Sequence, residues 1–308
     1  MSKTSLTTSE TTVTATSNGG KMKTSPNQLW KVKDLQAHLN RLYPPHLQEE
    51  WDKNGLIVGD LEQPVQKILL AIDPVPETIA QAVEGNYDLL ITHHPLFLKG
   101  INFISKESHK GRMVHDLIKN DVALLNAHTN ADSAERGVAW ALAKAVGITG
   151  TPFSTKETSE TGTPLGLGRI GKLPRPIPLE TFAQQVARAL PSGPHGIFVG
   201  VPTGKDLQMP VETVAVSGGS GDSFLQLAAD LGADVYLTAD LRHHPAQDHL
   251  NSTRTALISG SHWATEWLWL PALANDLELA AQAAGVEIEI DISASVTEPW
   301  RLHLPTQG

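Results

Sequence analysis

Twice in this chain a strand, a helix and a second strand follow one another. Each time the second strand opens on Asp, carries three apolar residues and closes on Thr. The first unit holds Lys67–Asp73 with Ile68, Leu69, Leu70, Ala71 and Ile72, then a helix from Pro76 to Glu84 ended by Gly85 and Asn86, then Asp88-Leu89-Leu90-Ile91-Thr92. The second holds Val214–Ser217, Ser223–Leu231 and Asp234-Val235-Tyr236-Leu237-Thr238. A strand–helix–strand unit closes most readily as a parallel pair with a right-handed crossover. Both units also lead to His-His-Pro, at His93–Pro95 and His243–Pro245. The pattern reads as an internal duplication of one α/β unit.

Around these units the remaining segments take their places. Residues 1–26 are rich in Thr and Ser with almost no apolar anchors, and read as a disordered tail. The first half spans 27–150. It adds an amphipathic helix over Val32–Tyr43, a turn at Asn54-Gly55 before a short strand Leu56–Val58, a helix over Lys110–Lys119, and a strand Val122–Asn126. An Ala-rich helix from Ala134 to Val146 ends at Gly147. The polar stretch Gly150–Thr163 reads as an exposed loop. The second half spans 151–300. It adds a glycine-containing strand Leu165–Leu173, a helix Pro178–Ala189, strands Gly196–Val201 and Ala256–Ser259, a long helix to about Ala284, and a last strand Val286–Ile292 before a frayed end.

Composition removes several function classes. The 308 residues include no cysteine, which excludes disulfides, thiolate metal sites and cysteine nucleophiles. A net charge of −9 argues against non-specific binding to nucleic acid or anionic membrane. No apolar stretch is long enough to span a bilayer and no secretory leader stands near the start, so a cytoplasmic protein is expected.

Any metal must then sit on His, Asp, Glu or water. His93 and His94 end a strand at the edge where α/β proteins place their chemistry. In extended backbone they point apart, so each would serve a different one of two adjacent ions. His262 and Glu266 are four apart at the start of a helix that Ser261 can cap, which stacks them on one face. Asp132 sits between a strand and a helix, a ligand position or an ordinary helix cap. His128 reads as a loop histidine, and His243-His244 as substrate-facing or structural. Together His93, His94, Asp132, His262 and Glu266 offer three imidazoles and two carboxylates, enough for two divalent ions with water completing the spheres. Such donors suit zinc, iron, manganese or nickel. Gly218-Gly219-Ser220-Gly221 reads as a flexible turn, with anion cradling through its N–H groups as the lesser alternative.

In their order, Trp51-Asp52-Lys53-Asn54-Gly55-Leu56-Ile57-Val58-Gly59, Ile91-Thr92-His93-His94-Pro95-Leu96, His128-Thr129-Asn130-Ala131-Asp132, Thr238-Ala239-Asp240 with His243-His244, and Gly260-Ser261-His262-Trp263-Ala264-Thr265-Glu266 resemble the GTP cyclohydrolase 1 type 2 homologues, or NIF-three-like proteins. The resemblance covers about 27 to 295. Lys53 and Ala239 depart from the usual motifs, at positions that are not ligands. The resemblance implies a two-lobed α/β fold with a dinuclear metal site between the lobes, held by His93, His94, Asp132, His262 and Glu266. It also implies a toroidal homo-hexamer, and the short form without an inserted domain. The expected function is a two-metal hydrolase of a nucleotide-like or phosphate-containing small molecule. His128 or His244 would relay a proton. The alternative is a non-enzymatic metal-binding ring or interaction hub.

Overall fold

The computed structural model describes residues 29–306. The Thr/Ser-rich segment 1–26 lies outside them. In the first part of the chain the elements run β1 (Trp30–Lys31), α1 (Val32–Leu42), β2 (Gly55–Val58), β3 (Pro64–Val65), β4 (Lys67–Ala71), α2 (Pro76–Glu84), β5 (Leu89–Thr92), α3 (His109–Lys119), β6 (Ala123–Asn126), α4 (Thr129–Ser133) and α5 (Val138–Ala145). There follow β7 (Thr149–Thr151), β8 (Ser154–Thr158), β9 (Pro164–Leu167), β10 (Arg169–Pro178), α6 (Leu179–Ala189), β11 (Phe198–Gly200), β12 (Pro210–Ser220), α7 (Leu225–Asp230), β13 (Val235–Ala239), α8 (His243–Ser252), β14 (Ala256–Ser259), α9 (His262–Trp267), α10 (Trp269–Ala284) and β15 (Glu289–Ile292).

Eleven of these strands build two mixed sheets, while β1 pairs with β3 and β8 with β9 as two-stranded ribbons. The first has the order β15-β4-β5-β6-β2, with β15, β4, β5 and β6 parallel and β2 antiparallel at the edge. The second has the order β11-β14-β13-β12-β10-β7, with β12, β13 and β14 parallel. Both faces of each parallel set are covered, which explains why their sequences are continuously apolar rather than alternating. In the first sheet Ile68, Leu70, Ile91 and Leu125 face one way, while Leu69, Leu90 and Leu124 face α2 and α3. In the second, Val214, Val216, Leu237 and Ile258 face one way, and Ala215, Tyr236 and Leu257 the other. The inner faces of both sheets join one core with α5 and α10. Each fully buried aliphatic side chain there contributes about 1.5–3 kcal/mol.

The duplicated units superimpose in their hydrogen bonds. Asp88 Oδ2 accepts from the N–H groups of Gln66 and Lys67 at 2.8 and 2.9 Å, and Asp234 Oδ2 accepts from those of Glu212 and Thr213 at 2.9 and 2.8 Å. Each Asp therefore clips the start of the neighbouring strand. In the same register Ala127 N donates to Thr92 O, and Gly260 N to Thr238 O. By this equivalence Asp240, two residues after Thr238, corresponds to His94, two after Thr92. The His243-His244 pair lies further on, at the start of α8, and is not the counterpart of His93-His94.

Several segments differ from the sequence expectation: the strand expected over Leu165–Leu173 divides into β9 and β10, the long helix expected to about Ala284 divides into α9 and α10, and three further cases have a visible cause. The stretch Gly150–Thr163 is not a plain loop: β7 joins the second sheet and β8 pairs with β9. Its residues are largely exposed, so no apolar alternation marks them as strand. The helix expected over Ala134–Val146 begins only at Val138, as α5, and a separate short helix, α4, precedes it. Ala134 is extended, and a Cβ on Gly137 would lie 1.6 Å from Ala131 O, so only glycine permits the corner. Buried Arg169 fastens this corner by donating to Ala134 O and Glu135 O at 2.7 and 3.1 Å. The end beyond β15 is not frayed throughout, since Ser293 and Glu298 are buried.

Candidate metal centre

The C-terminal ends of the two parallel sets place their chemistry together. His93 and His94 leave β5 still paired, their N–H groups donating to Ala71 O and Ile72 O at 3.2 and 2.9 Å. The backbone then bends, because Thr92 Oγ1 donates to His94 O at 2.8 Å. The two rings come to 5.0 Å between centroids, at 50° to each other, rather than pointing to opposite faces. Asp132 lies inside the short helix α4 after β6, not at a helix cap. His262 and Glu266 lie on α9, which Ser261 caps by accepting from Ala264 N at 3.1 Å.

Glu266 is the hub. Its Oε1 is 3.6 Å from His93 Nε2 and 3.1 Å from His262 Nε2, and its Oε2 is 3.2 Å from His94 Nε2. His93 Nε2 is also 3.6 Å from Asp132 Oδ1, and the Nε2 atoms of His94 and His262 are 3.2 Å apart. The outer nitrogen of every one of these rings is committed. Nδ1 of His93 donates to Ala127 O at 2.9 Å, that of His94 to Asp73 Oδ1 at 2.7 Å, and that of His262 to Asp240 Oδ2 at 2.6 Å. A carbonyl or carboxylate oxygen can only accept, so Nδ1 carries a proton in each ring and Nε2 is the nitrogen turned inward, free to bind a cation once it gives up any proton of its own. Carboxylate-to-imidazole contacts of this kind orient metal-ligating histidines.

Among the described residues, two buried atoms in this cluster, His93 Nε2 and Glu266 Oε2, have no well-aligned hydrogen-bond partner, the latter having only its 3.2 Å ion-pair contact with His94. Buried polar atoms without partners are costly, and a cation between them would satisfy both. The field agrees. Burial disfavours the His94 imidazolium, but the Glu266 charge and the Asp73 hydrogen bond prevail and push its pKa up to about 10. For His262 the Glu266 charge comes first, outweighs burial with help from Asp240, and raises the pKa to about 11. Burial would raise the Glu266 carboxyl, yet the three imidazoles hold it well below its usual range, while burial pushes Asp132 up. The cluster thus selects positive charge. His94, His262 and Glu266 form a group that could hold a metal ion, and His93, His94 and His128 form another. The donors fit a divalent metal.

His128, expected as a proton relay, stands beside the cluster, its ring 5.1 Å from that of His93 and 5.4 Å from that of His94. Its Nδ1 is 3.1 Å from Asp52 Oδ2. That same oxygen accepts from Thr129 N and Oγ1 at 3.1 and 2.6 Å and from Asn54 Nδ2 at 3.1 Å. Burial works against the Asp52 anion, but the contacts with His128 and Thr129 hold its carboxyl well below the usual range. The Trp51–Gly59 motif therefore anchors the loop that carries His128 and Asp132. The structure does not bring His244 to the cluster. It is exposed at the start of α8, its ring meeting only that of His243 among the ring contacts of the described residues.

The glycines of Gly218–Gly221 are neither a flexible turn nor an anion cradle. Gly219 N donates to Thr265 Oγ1 and Gly221 N to Ala239 O, so these donors are spent. Gly219 has φ +65°, and a Cβ there would lie 2.3 Å from Glu266 Oε1 and 3.1 Å from His262 Nε2. Glycine is required because backbone passes against the cluster itself. Of the orienting residues, Asp240 belongs to the Thr238-Ala239-Asp240 motif but was given no role there, and Asp73 carries no sequence mark beyond standing just after a strand.

The cluster opens on a cleft of about 760 Å³. Trp51, His128, Lys156 and Phe224 line it, along with Ser154, Ser217, Ser220 and Ser223. Lys156 Nζ is 2.6 Å from Glu49 Oε1. No helix among the described residues is long and apolar enough to cross a membrane.

Comparison with known proteins bears on the fold and the family. The chain is 40% identical over 274 residues to the "GTP cyclohydrolase 1 type 2 homolog" of Streptomyces coelicolor, covering 89% of this chain and 95% of that one. The solved structure of a Bacillus cereus protein related to NIF3 matches with a TM-score of 0.80 at 23% identity, over 90% of this chain and 100% of the other. A Staphylococcus aureus hypothetical protein matches with the same TM-score at 25% identity and the same coverage. The family model for Duf34/NIF3 (NGG1p interacting factor 3) matches residues 30–299, and the chain belongs to that family.

Proposed function

We propose that the protein is a metal-dependent hydrolase. It holds two divalent cations among His93, His94, Asp132, His262 and Glu266, and acts on a nucleotide-like or phosphate-containing small molecule. The observation that carries this reading is the set of three imidazoles turned Nε2-inward around one buried carboxylate, at a cleft large enough for such a ligand. When bound, two cations supply Lewis acidity and an acidified water.

The chain's own groups do the rest. Asp52 occupies the Nδ1 side of His128, which leaves His128 Nε2 to exchange a proton with the reacting groups. Trp51 and Phe224 present rings to a planar base, and Lys156 with the serine hydroxyls presents donors to substrate oxygens. The name carried by the Streptomyces coelicolor relative makes GTP the first substrate to assay. The absence of cysteine limits the ion to one that accepts nitrogen and oxygen donors.

The test is turnover of GTP and a panel of nucleotides and phosphoesters by metal-loaded protein. His93→Ala is expected to abolish turnover while circular dichroism stays that of the parent. A parent protein that holds its metal yet turns over nothing in the panel replaces this reading with a non-enzymatic metal-binding protein.

A further inference from the structure

Asp73 and the first turn of α9 belong to different sheets, yet one segment touches both. After β15 the chain does not leave the body of the protein. Ser293 N donates to Leu70 O at 2.8 Å, Ser293 Oγ to Gln81 Oε1 at 2.7 Å, and Trp267 Nε1 donates to Ser293 O at 3.1 Å. Four residues on, Thr297 Oγ1 donates to Asp73 Oδ2, while the other oxygen of Asp73 holds His94. Next in the chain, Glu298 is 4% exposed, and its Oε1 accepts from Trp263 N at 2.9 Å. Trp263 follows His262 in the first turn of α9, where backbone N–H groups have no partner within the helix.

We propose that Ser293–Glu298 is a strap that sets the spacing of His94 and His262, and that Thr297 and Glu298 are positioning residues for the metal centre. This rests on the metal-binding reading above. Thr297 fixes the carboxylate plane of Asp73, and with it the direction of His94 Nε2. Glu298 fixes the turn that carries His262. Neither side chain reaches the ions. The two nitrogens they govern lie 3.2 Å apart, so a small rotation of either ring changes the geometry offered to a cation. A buried carboxylate needs a polar partner, and among the described residues the hydrogen bond of Glu298 is to one backbone N–H, which belongs to the ligand-bearing turn.

The experiment measures zinc affinity by competition with a chromogenic chelator, the ligand-field spectrum of the cobalt(II) form, and the melting temperature of the metal-free protein. Thr297→Val and Glu298→Ala are each expected to weaken zinc binding about ten-fold or more and to alter the cobalt spectrum. Metal-free melting is expected to stay close to that of the parent. Thr297→Ser and Glu298→Gln keep a donor and an acceptor respectively, and are expected to restore affinity and spectrum. Variants that bind zinc as the parent does, with an unchanged cobalt spectrum, overturn the strap. Equal loss in Glu298→Ala and Glu298→Gln overturns the hydrogen bond as its cause. A parent that binds neither metal overturns the metal-binding reading itself, and the strap with it.

Discussion

At Glu266 one carboxylate lies within 3.6 Å of three imidazole nitrogens. Replacing it by Gln removes the charge but keeps the shape, so Glu266→Gln is expected to release metal at concentrations where the parent stays loaded. Elemental analysis after dialysis checks this. His249 is the opposite kind of histidine. It is buried, its Nε2 is 3.0 Å from Thr255 O, and burial outweighs that hydrogen bond and lowers its pKa. Its folded pKa is below its unfolded value of 6.5, so the unfolded chain takes up the proton more readily. Stability is therefore expected to fall as pH drops below about 6.5. His249→Gln is expected to flatten that limb in urea melts at pH 5 to 7. The ligand candidates were readable in sequence because His-His after an apolar strand and His-x-x-x-Glu at a helix start have recognisable spacing. The orienting roles of Asp73, Asp240 and the Ala127 carbonyl were not, although Asp240 lies in a recognisable motif. An orienting group needs only one oxygen at the right place, and no spacing announces it.

Among the elements, the parallel strands and α2 were legible because apolar runs and the Pro76–Gly85 punctuation leave one reading. The late start of α5 was not, since Ala-rich sequence is helical by propensity, and the corner at Ala134–Gly137 is held by the close approach of Gly137 to Ala131 O and by distant Arg169. The end of β12 is a second case. There Gly219 reads as a turn, but its left-handed backbone lets the strand pass the cluster. Gly219→Ala is expected to cost about 1–2 kcal/mol from backbone alone. Metal affinity should fall as well, because the new methyl group displaces Glu266. Thermal melts with and without zinc separate the two effects: the metal-free protein should show the backbone cost, and the stabilisation by zinc should shrink.

Across the whole molecule, the halves seen in sequence are interleaved in space. The duplicated units are real counterparts in hydrogen bonding, but β15, from the end of the second half, lies beside β4 in the first sheet. A chain ending at Gly285 would leave β4 as an open edge, with Ile68, Leu69 and Leu70 no longer covered on that side. Such a truncation is expected to express as insoluble protein, checked by fractionating the lysate. The sequence showed a final strand there but not its destination, because strand pattern fixes local conformation and not which edge it joins.

That destination bears on how the protein is made. A ribosome releases the first two hundred and eighty-odd residues before β15 exists, so the first sheet stays incomplete until that strand has emerged. The nascent chain presents His93 and His94 long before it presents His262, Glu266 or the strap that trims them. A site that draws on all five of the proposed ligands can therefore take shape only once α9 has been made.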